Sequence, residues 1–442
     1  MTQERPDAGD VMPGPTGPEE VPVHLAPASD RPADPAAARL RDNRDFLTVL
    51  FGQGISSFGD SITNTALPLL VLALTGSGLA MGVVGVLTTL PDLIIGLPAG
   101  AYADRWDRRR MMFWADLGRF ALTALIPISV ELHGPTLVLI FAVTAPMNAL
   151  RVLWLAAYTA SVPGLVGRAE VPRANAIFEA VFNVGWIVGP ALAGFLAATI
   201  GPGATIAIDA VTFLISAGAM LLVRRPLRAE ARSVETHILA DIREGVAFVV
   251  RQPTLRACIA MWTTTSVIAT GLTTAIIYYV TVNLGLGSQV VGVVLSGWAL
   301  GSLGGSIAAA KLSFRATGRV MLVGAVLFGV CMLVIAAGVP VPVMVAVAFV
   351  GGALNSNILV AYITMRTLLS PDAMLGRVGA TARMFSVGLT PIGALLTGVL
   401  LDRIGGAATL ALIGAALVLA GLAFALVRPV RMARIPSLVR PV

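Results

Sequence analysis

The sequence predicts an all-α membrane protein with twelve transmembrane helices in two pseudo-symmetric six-helix bundles. Three observations predict it. The mean hydropathy is +0.85 and only 12% of the 442 residues are charged, where a water-soluble domain carries about 25%. Such a chain cannot cover a surface facing water. Apolar runs of spanning length, about 20 residues each, recur twelve times between positions 46 and 427. One long polar stretch, from about 224 to 255, divides those runs into six and six.

The segments fall at about 46–75, 79–103, 109–130, 135–163, 173–200 and 203–224 in the first half. In the second they fall at 257–284, 288–311, 319–338, 341–369, 378–402 and 405–427. The loops fix their orientation. Arg105, Arg108, Arg109 and Arg110 lie between segments 2 and 3, Arg168 and Arg173 between 4 and 5, and Arg224, Arg225, Arg228, Arg232 and Arg243 between 6 and 7. Lys311, Arg315, Arg319 and Arg377 continue the pattern, and Arg428, Arg431 and Arg434 follow the last segment. The alternate loops, such as Thr75–Gly78 and Thr199–Pro202, are almost uncharged. Positive charge marks the cytoplasmic side, so both termini are expected there. Lys311 is the single lysine among many arginines, which hints at a GC-rich bacterial genome, and a bacterial inner membrane is the expected setting.

The domain boundaries follow. Residues 1–45 form a Pro-rich tail too poor in apolar residues to fold by itself. Residues 46–224 form the first bundle, 225–256 a cytoplasmic central loop, 257–427 the second bundle and 428–442 a basic tail. The first apolar run begins too late for a cleaved signal peptide. An internal repeat supports the two halves: Ser161-Val-Pro-Gly-Leu-Val-Gly167-Arg168 matches Ser370-Pro-Asp-Ala-Met-Leu-Gly376-Arg377, and each precedes a segment carrying a proline, Pro190 or Pro391.

The densest charged feature is Gly100-Ala-Tyr-Ala-Asp104-Arg105-Trp-Asp-Arg108-Arg109-Arg110. Segment 5 carries Gly185-x-x-x-Gly189-Pro190-x-x-x-Gly194, small residues that let helix backbones approach closely. Together with Ile55-Ser-Ser-Phe-Gly59-Asp60 and the repeated loop, these motifs resemble the major facilitator superfamily. Within it, they resemble the drug:proton antiporter subgroup that includes the enterobactin exporter and macrolide efflux proteins. The resemblance covers about 46–427. It implies alternating access around a midplane cavity lined by helices 1, 4, 7 and 10, and export of a small organic molecule against inward proton flow. It also implies a conformational latch in which Asp104, with Gly100, Arg105, Arg108 and Arg109, engages the start of helix 11 near Gly376 and Arg377. The second half has no acidic residue where Asp104 would fall, in Gly305-Ser-Ile-Ala-Ala-Ala-Lys311. The segment 5 motif resembles the antiporter motif, with Ala193 in place of a usual glycine.

Charges at membrane depth are expensive and mark function by default. Asp60 shares a helix face with Gln53, Ser57 and Asn64. Asp60 is the expected proton carrier, with Arg151 of helix 4 as its partner, and Asp92 and Glu179 are rival carriers. Asp116 with Arg119, and Asp209, are expected to be structural. Expected cavity residues are Gln53, Ser57, Asn64, Asn148, Tyr158, Ser266, Thr270, Thr274, Tyr278, Asn355 and Tyr362, with Trp186 and Trp298 as apolar surface for an organic substrate. Partners are then the substrate, protons and the bilayer, acting on a monomer.

Other classes are disfavoured. The net charge of +7 resides in short interhelical loops and orients the chain, so nucleic acid is not implied. Cys258 and Cys331 sit apart in apolar segments and only three histidines occur, so no metal or other cofactor is expected. There is no Gly-Lys-Ser/Thr phosphate loop and no clustered constellation for an enzyme. A lipid or lysophospholipid flippase of the same fold is the alternative within transport.

Overall fold

The computed structural model describes residues 40–433, apart from 135, 226, 228–237, 312–316 and 372–373. The expected N-terminal tail up to residue 39, part of the central loop and the last nine residues lie outside that range. The described residues are almost wholly helical. The first bundle comprises α1 (Arg44–Thr75), α2 (Gly78–Arg105), α3 (Arg108–Glu131), α4 (Thr136–Val166), α5 (Val171–Thr199) and α6 (Pro202–Leu222). The second comprises α7 (Pro253–Asn283), α8 (Ser288–Lys311), α9 (Thr317–Ala336), α10 (Val341–Leu368), α11 (375–404) and α12 (406–426). The last two are continuous in backbone hydrogen bonding but break at Gly405, whose φ of 76° no other residue adopts readily.

The helix starts are written locally. Asn43 caps α1 by accepting from the Phe46 amide at 3.1 Å, Ser77 caps α2 through the Ala80 amide at 3.2 Å, and Asp107 caps α3 through the Arg110 amide at 3.2 Å. Prolines at the first turn start α5, α6, α7 and α10. The segment 225–256 is not simply a loop. Ile238–Arg251 forms a linker helix, with Val249 buried, and α7 already begins at Pro253. Polar length hid this helix; its apolar residues pack against the second bundle.

Within the first bundle α1 lies between α5 and α6, α3 lies between α6 and α4, and α2 packs on α4. The second bundle repeats this plan, with α8 against α10 and α9 against α12. The bundles meet along two seams, α2 with α11 and α5 with α8. The core is organised unequally along the membrane axis. At the end away from the arginine loops, one cluster of buried residues unites both bundles, including Leu70, Met81, Ile140, Ile276, Val291, Phe328 and Leu401. At the arginine-rich end there are two separate clusters. One lies within the first bundle around Met112, Tyr158 and Leu165, and one within the second around Met261, Met321 and Tyr362. The halves are therefore fused at one end and parted at the other.

The arginine loop is built into the first bundle. Arg108 donates to the Ala103 carbonyl at 2.9 Å and the Ala160 carbonyl at 2.7 Å. Arg109 donates to the Met220 and Leu221 carbonyls at 2.8 and 2.6 Å. The carbonyls on α2 and α6 lie in the last turns of those helices, where the helix dipole favours a cation, and the Ala160 carbonyl lies more than a turn inside α4. The basic loop thus closes helix ends as well as carrying charge.

Candidate functional site

Two charged constellations lie within the first bundle. The first is buried. Arg119 of α3 is 2% exposed and donates from Nη2 to Asp60 of α1. Its Nη1 is 3.9 Å from Asp116, one turn earlier on α3, and its guanidinium lies 3.9 Å above the ring of Phe213 of α6. Asp116 accepts from Trp154 Nε1 at 3.0 Å and from Ser216 Oγ at 2.6 Å. Asp209 of α6 is fully buried and accepts from Thr212 Oγ1 at 3.0 Å. Gly59 permits this approach, because a Cβ there would overlap Asp209 Oδ1 and Thr212 Oγ1. The face of α1 bearing Asp60 thus meets α3 and α6 through three carboxyls and one guanidinium.

The second constellation is open. Arg151 of α4 donates to Asp92 Oδ2 of α2 at 2.6 Å and to Asn148 Oδ1 at 3.3 Å. The two ion-pair side chains are 34% and 33% exposed. Asp92 lines a cavity of about 590 Å³ between α2, α4 and α11. Leu93, Val152, Leu155, Met384 and Val387 give it an apolar wall, and Thr159, Thr381 and Arg383 add polar groups. Gly100, Ala103 and Ala160 place its lower part toward the arginine-rich end.

This geometry corrects the expected pairing. Asp60 is joined to Arg119 and not to Arg151, which takes Asp92 instead. Arg119 therefore serves Asp60 as well as Asp116, and Asp209 belongs to the same buried group rather than to a separate structural position. Spacing along α1 and α4 brought Asp60 and Arg151 to similar depths, but α3 supplies the nearer cation.

Several expected cavity residues pack inside their own bundle. Gln53 and Ser57 are 7% and 1% exposed. Asn148 is buried and its amide donates to the Thr144 carbonyl. Tyr158 is stacked between Trp154 and Phe178, with ring centroids 5.4 and 4.2 Å away. Tyr362 is stacked on Trp262 at 5.3 Å, and the Arg366 guanidinium lies 5.5 Å from the centre of its ring. Trp298 packs 5.2 Å from Phe328 and against Gly351, so it is part of the second bundle's helix packing. Each is a large or hydrogen-bonding side chain for which neighbouring helices provide a better-filled site than an open cavity. Asn64, Glu179 and Trp186 remain exposed, and Ser266, Thr270, Thr274, Tyr278 and Asn355 are half-buried.

Of the expected latch, Arg105 is exposed and Arg108 and Arg109 close helix ends as described. Gly100 borders the cavity, and Gly376 has open space beside it. Arg377 pairs with Glu244 of the linker helix at 2.8 Å. The side chain of Asp104 lies outside the described residues. In the α5 motif, Gly185 and Gly189 lie against the backbone of α1 near Phe58 and Ser61, and Gly194 lies against Gly292 of α8. Beside Pro190, the Ala191 amide donates to Ser296 Oγ of α8 at 3.0 Å. The motif is thus a packing surface to both bundles.

Among the described residues, twelve spans form paired six-helix bundles with a cavity between them; with the family match that follows, this is a membrane transporter of the major facilitator superfamily and not an enzyme. The chain belongs to the family described as transmembrane secretion effector, whose model matches residues 36–437. It is 32% identical over 379 residues to the multidrug efflux pump Tap of Mycolicibacterium fortuitum, covering 82% of this chain and 90% of that one. The Tap pump of Mycobacterium tuberculosis (strain ATCC 25618 / H37Rv) is 30% identical, over 85% of this chain and 91% of its own. Macrolide efflux protein A of Streptococcus pyogenes is 26% identical over 47% of this chain and 51% of its own. Among solved structures, a mutant of the nucleoside transporter NupG superposes with a TM-score of 0.70 at 12% identity, covering 87% of this chain and 100% of that chain. A bacterial homologue of the iron transporter ferroportin, in an inward-facing state, gives 0.67 at 16% identity, covering 87% and 98%.

Proposed function

We propose that this chain exports a small organic molecule from the cytoplasm by alternating access, driven by proton antiport. The arginine-rich end is the cytoplasmic one by the positive-inside rule, with both termini there. The parted cores at that end and their union at the other then describe an inward-facing state. The cavity between α2, α4 and α11 would receive the substrate from the cytoplasm. Its mostly apolar wall, with an ion pair and Arg383 at its rim, suits a molecule with a bulky apolar body and a few polar groups. The relatives' names, multidrug and macrolide efflux, agree with that chemistry. The setting is a bacterial cell membrane and the working unit a monomer.

The observation that carries proton coupling is the buried group on α1, α3 and α6. Asp60 and Asp116 contact the Arg119 guanidinium, and a third carboxyl, Asp209, is fully buried against the neighbouring turn of α1 at Gly59. Three carboxyls beside a single guanidinium in a mostly buried place are an arrangement in which a change of charge on one member is felt by the others, which supports a proton-coupling role for the group. Asp60, 19% exposed, is its most open member. We assign Asp60 as the carboxyl that exchanges the coupling proton, and Arg119 as the cation that takes its place when the proton leaves.

The test uses everted vesicles with an acid interior, reported by a quenched dye, and a panel of macrolides, tetracyclines, siderophores and lipophilic cations. At least one compound should dissipate the gradient through the wild-type protein, and Asp60→Asn should abolish that response. A response that survives Asp60→Asn removes the assignment. If no compound responds, while a labelled lipid crosses without a gradient, a lipid transporter of the same fold is the correct reading.

A further inference from the structure

The end of the molecule away from the arginine loops is held by a contact that neither bundle can make alone. Asp402 lies near the C-terminal end of α11, where the helix dipole disfavours a carboxylate. It reaches across to the first turn of α2 in the other bundle. Its Oδ2 accepts from Ser77 Oγ at 2.7 Å and from the Leu79 amide at 3.1 Å, and its Oδ1 accepts from the Gly78 amide at 2.5 Å. These amides belong to the group that a helix start leaves without partners of its own. The same end of α2 is the positive end of its dipole. One carboxylate therefore satisfies three donors that would otherwise face the seam.

The approach is written into the backbone. Gly76, at φ 64°, turns the chain between α1 and α2 so that Ser77 and the amides after it point at α11. A Cβ at Gly398 would sit 2.7 Å from the Gly78 carbonyl and 2.9 Å from Gly82 Cα, so the two helices could not close on each other with larger residues there. The hydroxyl of Ser77 also caps its own helix. The contact thus couples the cap of α2 to the position of α11.

We infer that Asp402 is the gate residue of this end: its carboxylate clasps the N-terminus of α2 while the cavity is open to the arginine-rich end, and lets go when the seam opens. This inference rests on the alternating-access reading. The clasp joins the two bundles at the seam that must part when this end opens. A rocking motion that opens the seam separates Asp402 from the start of α2, so each transport cycle would break and remake the contact.

The experiment reads conformation and not transport, so it stands apart from the proton assay. Spin labels are placed at the exposed positions Leu132, in the first bundle, and Ala337, in the second, with Cys258 and Cys331 replaced by alanine, and distances are measured in nanodiscs. The wild type should favour the shorter distance. Asp402→Asn keeps the shape and removes the charge; it should raise the population of the longer distance relative to the shorter at least about tenfold, the scale of lost charged hydrogen bonds. Asp402→Glu should restore part of the wild-type distribution. Ser77→Ala removes one donor to Asp402, together with the cap that the hydroxyl gives α2, and leaves both amides in place; it should shift the populations less in the same direction even if Asp402→Asn proves too unstable to purify. Unchanged distances in Asp402→Asn, or in Ser77→Ala where only that variant can be measured, would overturn the inference, whatever the vesicles report about protons.

Discussion

The two bundles share a plan but solve different problems. The first buries charge: Asp60, Asp116, Arg119 and Asp209 lie among α1, α3 and α6, and Asp92, which lines the cavity, pairs with Arg151. The second has no acidic residue between Glu244 and Asp372. It is held by close helix contacts, such as Gly301 against Phe349 and Gly352 against Trp298. Its ion pair, Arg377 with Glu244, is exposed at one end. The difference teaches that buried charge is concentrated in one half, while the other half is a closely packed body; in the proposed cycle the first would carry the proton and rock against the second. Substitutions should separate these roles by size and by kind.

The largest effect is expected at Arg119. Removing it leaves Asp60 and Asp116 without their cation in a dry site, and breaking a buried pair costs about 3–5 kcal/mol. Arg119→Ala should lower the melting temperature in detergent markedly. Adding Asp60→Asn to Arg119→Ala should recover part of the loss, because one of the stranded carboxyls is then neutral. Recovery identifies the electrostatic cause; no recovery would mean that the packing of Arg119 on Phe213 dominates.

A smaller loss is expected in the second bundle. At Gly301 an added methyl would overlap the Phe349 backbone. Overpacking costs about 1–3 kcal/mol, so Gly301→Ala should reduce thermal stability without altering any proton response beyond the loss of folded protein. A selective loss of coupling at unchanged stability would erase the division of labour between the bundles.

The spans were legible because a bilayer imposes length and apolarity on every segment, and the arginine loops stood out against a nearly uncharged chain. Partners across helices were less legible. Whether Asp60 meets Arg119 or Arg151 depends on the rotation of helices interrupted by glycine and proline, such as Gly59 and Pro68 in α1. Spacing along one helix cannot fix that. The contact between Asp402 and α2 joins residues more than 300 positions apart, and in the sequence the loop before α2 reads only as an uncharged connection. The stacked Tyr158 and Tyr362 show the same limit: on paper a tyrosine in a lining helix faces the cavity, but in the folded chain aromatic neighbours cover it.

At the open pair the comparison sharpens. Asp92 and Arg151 are each about one-third exposed, so water screens them and their mutual contribution to stability should be at most about 1 kcal/mol. Arg151→Ala should therefore melt close to the wild type, yet weaken transport of whichever compound is active in the vesicle assay, because it changes the charge at the cavity wall. Stability and transport should thus part company here, whereas at Arg119 they fall together.

The smallest effect is expected at Glu244. Its carboxylate and the Arg377 guanidinium are 55% and 37% exposed, and such pairs typically contribute between 0.2 and about 1 kcal/mol. Glu244→Gln should shift the melting temperature slightly, and raising the salt to about 1 M should remove even that difference, because the Debye length then falls to about 3 Å. The position of the pair gives the result a second use. Arg377 stands at the start of α11, beside Gly376, and Glu244 holds it to the linker helix in the state with parted cores. If Arg377 must leave Glu244 when that end closes, Glu244→Gln should favour closure and alter transport rate more than stability. A rate that stays at the wild-type value would show that the linker helix moves with α11 as one body, leaving the charges of the first bundle and the seam at Asp402 to set the direction of the cycle.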